Sequence, residues 1–259
     1  MTDHIGDVHI SRDGFVATVM IDRPPINAVS VELMRDLADV LEALDKDGVS
    51  RAVVLATAGK IFCSGADLAN RTSEGPIPER MVNPLYDQAV RLFSTELPIV
   101  VAVQGAAIGA GLGLAMIGDF RVAAPEARFA ANFTKLGFHP GFGLTYTLPR
   151  LIGRQNASMM FLSGDRYDGS EALEMGLVDD LVDQSRLLGR AQTMAATIAE
   201  NAPLAIRSTR KTLRGDLPAG VRAATAHEFS EQQWLMKTDD FKEGVRAVSE
   251  RRAGDFKGK

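Results

Sequence analysis

Two apolar segments of strand length, separated by one helical segment, place the strongest constraint on how this chain folds. Residues 51–57 and 97–103 are nearly continuous runs of apolar and β-branched residues, and a helical pattern lies between Pro78 and Glu96. Such runs are typical of strands buried on both faces, whereas a strand with one solvated face alternates apolar and polar residues. The order strand, helix, strand at this spacing predicts a parallel sheet and an α/β fold.

Further elements flank these two strands. Residues 8–10 and 14–21 predict a hairpin that turns near Asp13, and residues 120–124 predict another buried strand. Ser30 is the predicted N-cap of a helix whose apolar face would carry Leu33, Leu37, Val40, Leu41 and Leu44. Asp47 and Gly48 would end this helix, and a Gly- and Ala-rich helix is predicted over residues 110–117.

The second half of the chain is mostly helical in pattern. Helices are predicted over residues 144–152, 155–162, 170–175, 187–200, 204–213 and 218–236. Because no Ser- or Pro-rich linker separates the halves, residues 1–259 are predicted to form a single domain. Its α/β core would extend to about residue 200, and residues 201–259 would form a helical extension.

Composition excludes several functional classes. A net charge of -4 argues against general binding to nucleic acids, which requires a basic surface. Cys63 is the only cysteine, so neither an intrachain disulfide nor a multi-cysteine metal site is expected. The N-terminus lacks a secretory pattern, and the longest apolar stretch, residues 99–117, is broken by Gln104 and several glycines. The expectation is a cytoplasmic protein without a membrane, metal or nucleic-acid partner.

Two loops that follow predicted parallel strands are the candidate ligand site, because open α/β sheets bind ligands at the carboxyl ends of their strands. The first glycine loop, residues 60–68, reads Lys-Ile-Phe-Cys-Ser-Gly-Ala-Asp-Leu, and the second glycine loop is residues 104–115. Small residues allow a close approach of backbone to ligand, and a helix start exposes free amides. Such amides suit a developing oxyanion.

The glycines of the second loop are ambiguous when taken alone. Gly109, Gly111 and Gly113 give a G-x-G-x-G order that lacks the spacing of a dinucleotide fingerprint, and Asp119 comes too early to serve as its acidic residue. A nucleotide-dependent oxidoreductase is therefore disfavoured. Close helix packing without any ligand stays open as an interpretation of these glycines.

The combination of motifs is more specific. Arg23-Pro24 and Asn27-Ala28 are followed by the two glycine loops, by residues 136–143 (Leu-Gly-Phe-His-Pro-Gly-Phe-Gly), by residues 164–178 and by the tail 243–256. In this order the sequence resembles the enoyl-CoA hydratase/isomerase family, the crotonase superfamily. The resemblance implies a core of repeated ββα units with a helical C-terminal region that builds homotrimers, commonly paired into hexamers.

The resemblance also implies a site. The oxyanion hole would be formed by the backbone amides of Ala66 and Ala110, and an acyl-CoA thioester would be the substrate, so coenzyme A would not be a resident cofactor. Residues implied to contact coenzyme A or the acyl group are Arg23, Ala28, Ser64, Ala66, Leu68, Gly109, Phe133 and Arg251. For Arg23 and Arg251, a solvated surface charge is the competing interpretation.

Three carboxylate positions of the family are altered here. The two glutamates that the hydratases use for proton transfer would fall on Gly113 and Phe133, and a third acidic position, used by related thioester hydrolases, falls on Gly141. A positioned acid or base contributes about a hundred- to ten-thousand-fold to a rate. Hydration by the usual route is therefore not expected, although the chain resembles a lyase or isomerase.

His139 is the remaining candidate for proton transfer, because an imidazole titrates near neutral pH. A buried, hydrogen-bonded structural histidine is the alternative interpretation, and Tyr146 could also donate a proton or simply pack. Two hypotheses follow. The chain is either an enzyme of acyl-CoA metabolism, with isomerisation, decarboxylation or C–C cleavage as reactions that need fewer protein acids, or a non-catalytic acyl-CoA-binding protein.

Overall fold

A computed structural model of the chain describes residues 3–66 and 83–259. The strands are β1 (Asp3–Ile5), β2 (Val8–Asp13), β3 (Val16–Ile21), β4 (Ala52–Thr57), β5 (Ile99–Val103), β6 (Ala106–Ile108), β7 (Phe120–Ala123), β8 (Arg128–Ala130), β9 (Arg166–Asp168) and β10 (Asp180–Leu181). The helices are α1 (Val31–Lys46), α2 (Pro84–Phe93), α3 (Ala110–Ala115), α4 (Leu144–Ser163), α5 (Gly169–Glu174), α6 (Leu187–Ala199), α7 (Pro203–Arg214), α8 (Leu217–Leu235) and α9 (Asp239–Ser249).

The main sheet has seven strands in the order β1-β2-β3-β4-β5-β7-β10. β1, β2 and β3 pair antiparallel, and the strands from β3 to β10 pair parallel. The predicted opening hairpin and the predicted parallel sheet are both confirmed. Because β4 and β5 are neighbouring parallel strands, the loops that follow them leave the sheet side by side, at the carboxyl ends of the strands.

Both faces of the main sheet are buried, which explains the continuous apolar runs. Along β4, Val53 and Leu55 pack in the large core with α1, whereas Ala52, Val54 and Ala56 pack with the alanines of α6 on the opposite face. Small residues on this second face let α6 approach the sheet closely. The fold is α/β, as expected, with helices covering both sides.

Helix α1 begins and ends as the sequence predicts. Ser30 accepts a hydrogen bond from Leu33 N, and the five apolar residues assigned to one face are all buried. Asp47 is the C-cap, and its carboxylate accepts from Val49 N and Ser50 N in the turn that leads into β4. This turn fixes the entry of the central strand.

A second, three-stranded sheet was not predicted as such. β6 and β8 pair parallel, and β9 pairs antiparallel with β8. Each strand has only three residues, too short for an alternation of apolar and polar side chains to identify it. This sheet nevertheless positions the site, because β6 belongs to the second glycine loop and Gly109 N donates to Ala130 O at the end of β8.

The helical half is confirmed with one difference. The backbone of α4 is non-helical at Gly153, with a φ of 77°, so the two helices predicted over residues 144–152 and 155–162 are both present. Helix α9 was not predicted as a helix at all. Helix α7 is tied to the sheet by Asp119, whose carboxylate accepts from Arg210 Nε at 2.8 Å and Arg214 Nε at 3.0 Å. Within residues 3–66 and 83–259, no helix has both the length and the apolarity needed to cross a membrane.

Candidate active site

The two glycine loops are joined through their backbones. Cys63 N donates to Ala106 O at 2.9 Å, and Ile108 N donates to Cys63 O at 3.0 Å. These bonds form a parallel bridge between Cys63 and Ala107 beyond the ends of β4 and β5. The loops therefore form one rigid backbone unit at the carboxyl edge of the sheet, where the sequence predicted a ligand site.

A third segment, residues 26–29, packs along the first glycine loop. Ser64 N donates to Ile26 O at 3.1 Å and Val29 N donates to Gly65 O at 2.9 Å, with a parallel bridge between Val29 and Ala66. The structure thus brings Ala28 beside Ser64 and Ala66, as the resemblance implied.

Asn27 holds this third segment in place. It is buried, its backbone φ is 47°, and its side-chain amide donates to Ala58 O and Ile61 O at 2.9 and 2.8 Å. Its side-chain oxygen accepts from Arg23 N at 2.9 Å. Asparagine tolerates left-handed backbone better than most residues, so one side chain both permits this turn and anchors it.

Two glycines allow the loops to approach more closely than side chains would. A Cβ atom at Gly65, whose φ is 92°, would lie 2.7 Å from Ile108 O and 3.6 Å from Ala110 N. A Cβ atom at Gly111 would overlap Cys63 O. The segment carrying Ala66 and the start of α3 at Ala110 are therefore packed directly against each other.

The backbone amides of Ala66 and Ala110 are the two donors that the family resemblance assigned to an oxyanion hole. Ala110 is the first residue of α3, where a helix leaves its N–H groups unpaired. Within residues 3–66 and 83–259, neither amide donates to a backbone carbonyl. Ala66 is half-buried and Ala110 is 9% exposed, so the two groups lie in a sheltered but open position.

Neighbouring side chains occupy the space at two of the three positions where the family resemblance implies an acid. A Cβ atom at Gly113 would lie 2.5 Å from Phe142 Cδ1 and 2.8 Å from Phe142 Cβ. A Cβ atom at Gly141 would overlap the hydroxyl of Tyr86, which donates to Gln232 Oε1 at 2.8 Å. A side chain at either glycine would require its neighbours to move.

The third position, Phe133, is occupied by a buried ring. Its Cζ would be 3.7 Å from a Cβ atom at Gly109, and it contacts the ring of Phe138, with ring centroids 5.7 Å apart. Gly109 and Phe133 are thus brought together beside Ala110. This part of the site is lined by aromatic rings in place of a carboxylate.

His139 lies in the turn that precedes α4. Its Nδ1 lies 2.8 Å from Pro140 O, and its ring lies edge-on to His227, with centroids 5.8 Å apart. It lines a cavity of about 710 Å³ together with Trp234, Phe256 and other residues of the C-terminal half. None of the hydrogen bonds and ring contacts of the described residues joins His139 to Ala66 or Ala110.

Glu228 is a buried group that sequence reasoning missed. Its carboxylate accepts from Gly143 N at 2.8 Å and from Thr145 N at 2.9 Å, so it caps the start of α4. Burial raises the pKa of Glu228, although its hydrogen bonds to Thr145 and Gly143 oppose the shift. In the sequence it is one acidic residue among others in α8, and nothing there indicates that its side chain contacts a turn 85 residues earlier.

The remaining predicted residues are dispersed. Arg23 donates to Ser30 Oγ at 2.6 Å and lies 3.6 Å from Asp7, so it is partly engaged within the chain. Arg251 is exposed after α9, and no ion pair reaches it within the described ranges. Leu68 and Asp67 lie outside the described residues. Helix α4 directs Tyr146 to Asp216, with the hydroxyl donating at 3.0 Å.

Thiol and metal chemistry find no support here. Cys63 is fully buried, and burial raises its pKa to about 12, so it stays a thiol at neutral pH. Among residues 3–66 and 83–259, no group of three His, Cys, Asp or Glu side chains is arranged to hold a metal ion. The chemistry available at the joined loops is hydrogen bonding by main-chain amides.

The chain is similar to known proteins over nearly its whole length. The family model described as Enoyl-CoA hydratase/isomerase matches residues 11–259. The chain is 32% identical to the short-chain-enoyl-CoA hydratase of Clostridium acetobutylicum, covering 96% of both proteins, and 32% identical to the 1,2-epoxyphenylacetyl-CoA isomerase of Escherichia coli, covering 94% and 95%. The crystal structure of an enoyl-CoA hydratase/isomerase from Pseudoalteromonas atlantica superposes with a TM-score of 0.87 at 32% identity, over 97% of this chain and 100% of that one. The chain belongs to the enoyl-CoA hydratase/isomerase family.

Proposed function

We propose that this protein binds an acyl-CoA thioester and stabilises its enolate with the backbone amides of Ala66 and Ala110. Family membership makes it an enzyme of the hydratase/isomerase type that processes acyl-CoA. Coenzyme A enters as part of the substrate, and the protein itself supplies the polar groups that meet the thioester oxygen.

One observation carries the proposal: Gly65 packs against Ile108 O and Ala110 N, so the two free amides belong to directly adjacent backbone segments. A preorganised pair of N–H donors acts on the charge that develops on the thioester oxygen, and each donor contributes about 3 to 4 kcal/mol to the transition state. Donors fixed by backbone bonds need no reorganisation when that charge appears.

Hydration through two protein glutamates is not part of the proposal. Gly113, Phe133 and Gly141 stand where carboxylates would transfer protons, and packing leaves no room for a side chain at the two glycines. Reactions in which the substrate supplies its own leaving group or shifts its own double bond need fewer protein acids. Isomerisation, decarboxylation and C–C cleavage of an acyl-CoA are such reactions, and His139 or a bound water would move the proton.

The coenzyme A portion would lie along Ala28, Ser64 and Leu68, with Gly109 and Phe133 beside the acyl group. Arg23 would approach the phosphates by exchanging its contact with Asp7, which is 3.6 Å long and half-exposed, for a phosphate oxygen. Arg251 would reach the nucleotide. The homotrimer or hexamer, the single-domain organisation and the cytoplasmic location stay predictions.

A second candidate function is that of a non-catalytic acyl-CoA-binding protein, favoured by the closed positions at Gly113 and Gly141. The test incubates the protein with enoyl-, 3-hydroxyacyl- and 3-oxoacyl-CoA esters and follows products by mass spectrometry. In parallel, deuterium uptake at the α-carbon in D₂O reports enolate formation whatever the product.

Turnover of a CoA ester, or deuterium exchange at its α-carbon, supports the enzyme hypothesis. Binding detected by calorimetry without turnover or exchange supports the hypothesis of a non-catalytic binding protein. No heat with any CoA ester refutes both candidate functions.

A further inference from the structure

We infer that Phe142 determines which reactions this site can perform, because its side chain fills the space into which any side chain at residue 113 would project. The inference deepens the proposed function and rests on it, since it concerns the same thioester site. It identifies a specificity-determining residue that lies outside the two glycine loops.

Residue 113 is placed to act on whatever binds at Ala110. It follows Ala110 by three positions in α3, and residues three apart in a helix lie on the same face. A carboxylate carried by residue 113 would therefore lie one turn from the free amide of Ala110. That space is not empty here: Phe142 is fully buried in it.

No rotation of the phenylalanine side chain opens the space. Two ring atoms of Phe142, Cδ1 and Cγ, would lie 2.5 and 2.7 Å from a Cβ atom at Gly113, and Phe142 Cβ itself would lie at 2.8 Å. The Cβ atom moves only with the backbone. Relief thus requires either a shift of the turn that carries Phe142 or the loss of its Cβ.

The turn is held on both sides. Phe142 has a φ of 64°, and Gly143 N, directly after it, donates to the buried carboxylate of Glu228 at 2.8 Å. Directly before it, Gly141 packs against the hydroxyl of Tyr86. Because Glu228 and Tyr86 come from different helices, the backbone at Phe142 cannot retreat from α3 without breaking contacts to both.

The test combines Gly113→Glu and Phe142→Gly in a double-mutant cycle. Glycine is chosen at 142 because it removes the Cβ atom and suits the positive φ, whereas Phe142→Ala would keep the clash. For each variant we would measure the melting temperature, crotonyl-CoA binding by calorimetry and hydration of crotonyl-CoA by mass spectrometry.

Gly113→Glu alone is expected to lower the melting temperature without gain of hydration. The double variant is expected to melt above Gly113→Glu and to hydrate at least about a hundredfold faster than the wild type and both single variants, the low end of what a positioned acid supplies. Phe93→Ala, which truncates an equally buried phenylalanine on α2, serves as the matched control and should not rescue Gly113→Glu.

The inference is overturned if Gly113→Glu is as stable as the wild type, if it hydrates as fast as the double variant, or if the double variant folds and binds without faster hydration. If Gly113→Glu does not fold, the same cycle with Gly113→Ala reports the steric coupling through melting temperatures. Failure of the wild type to bind any CoA ester refutes the proposed function instead, and the stability coupling between residues 113 and 142 still decides the steric claim.

Discussion

Gly65→Ala tests the geometry on which the thioester site depends. Gly65 has a φ of 92°, and its added Cβ atom would lie 2.7 Å from Ile108 O. Atoms in normal contact are about 3.5 Å apart, so the loops would have to separate by roughly 0.5 to 1 Å. This separation acts directly between the segments that carry the amides of Ala66 and Ala110.

The expected loss of activity follows from that displacement. A misplacement of about 1 Å costs on the order of a hundredfold in rate, and the loss of one oxyanion donor costs about a hundred- to a thousandfold. We therefore expect α-proton exchange or turnover to fall about a hundredfold in Gly65→Ala. Affinity for the CoA ester should change far less, because the coenzyme A portion is proposed to contact other residues.

Gly48→Ala is the matched control. Gly48 has a φ of 72°, and a Cβ atom there would meet nothing within 4 Å. Left-handed backbone costs an alanine about 1 to 2 kcal/mol, which corresponds to a melting temperature lower by roughly 2 to 8 °C in a protein of this size. Gly65→Ala should be destabilised by this amount and by the clash as well, so its melting temperature should be lower than that of the control. Turnover of Gly65→Ala within twofold of Gly48→Ala would refute the assignment of the site to these amides.

Three further predictions concern other buried or candidate groups. Glu228 has a raised folded-state pKa, so its stabilising contribution is greatest below the ordinary pKa of glutamate and declines as pH rises through the folded pKa. The free energy of unfolding of the wild type, measured in urea, should therefore exceed that of Glu228→Gln by less at about pH 7 than at about pH 4. A constant difference would contradict the shift. Asp119→Ala should lower the free energy of unfolding, measured by urea denaturation, by about 3 to 5 kcal/mol. The reason is that the largely buried guanidiniums of Arg210 and Arg214 would lose their carboxylate. A loss below about 1 kcal/mol would contradict a stabilising role for these ion pairs. His139→Ala should abolish turnover and leave calorimetric binding intact if His139 transfers the proton, whereas an unchanged rate removes it from the mechanism.

The elements that could be predicted from sequence are those whose side chains carry a periodic pattern. Helix α1 was predicted to its caps because Ser30, Asp47 and five buried apolar residues each follow a local rule. Strands β4 and β5 were predicted because burial on both faces leaves no polar position. Strands β6, β8 and β9 have three residues each and no pattern, and their pairing depends on partners distant in the sequence.

Helix α9 was missed for a different reason. Glu243, in the middle of the helix, accepts from Arg252 and from Asp255 N in the tail, and Thr238 caps the start. Phe241, Val245 and Val248 do lie at helical spacing, but the segment is short and only Glu243, Gly244 and Ala247 are buried. The contacts that hold it were visible only once the tail was placed.

The candidate site, too, was predictable from sequence only where a local pattern indicated it. The two glycine loops were predictable as a ligand site because small residues after parallel strands indicate close backbone approach, whereas the choice of Ala66 and Ala110 came from the family resemblance and stays a prediction. The role of Glu228 and the obstruction by Phe142 were not, since each depends on one contact between segments that share no local pattern.

Glycines in this site have two opposite effects, and the group packed against each glycine, backbone or side chain, decides which effect it has. At Gly65 and Gly111 the missing side chain lets backbone meet backbone, which keeps two amides together. At Gly113 and Gly141 the missing side chain admits Phe142 and Tyr86, which occupy the space where the family resemblance implies acids. A glutamate introduced at residue 113 therefore cannot take up that space unless residue 142 changes as well. Gly113 and the ring of Phe142 form one structural unit, and we expect the chemistry of the site to depend on the pair.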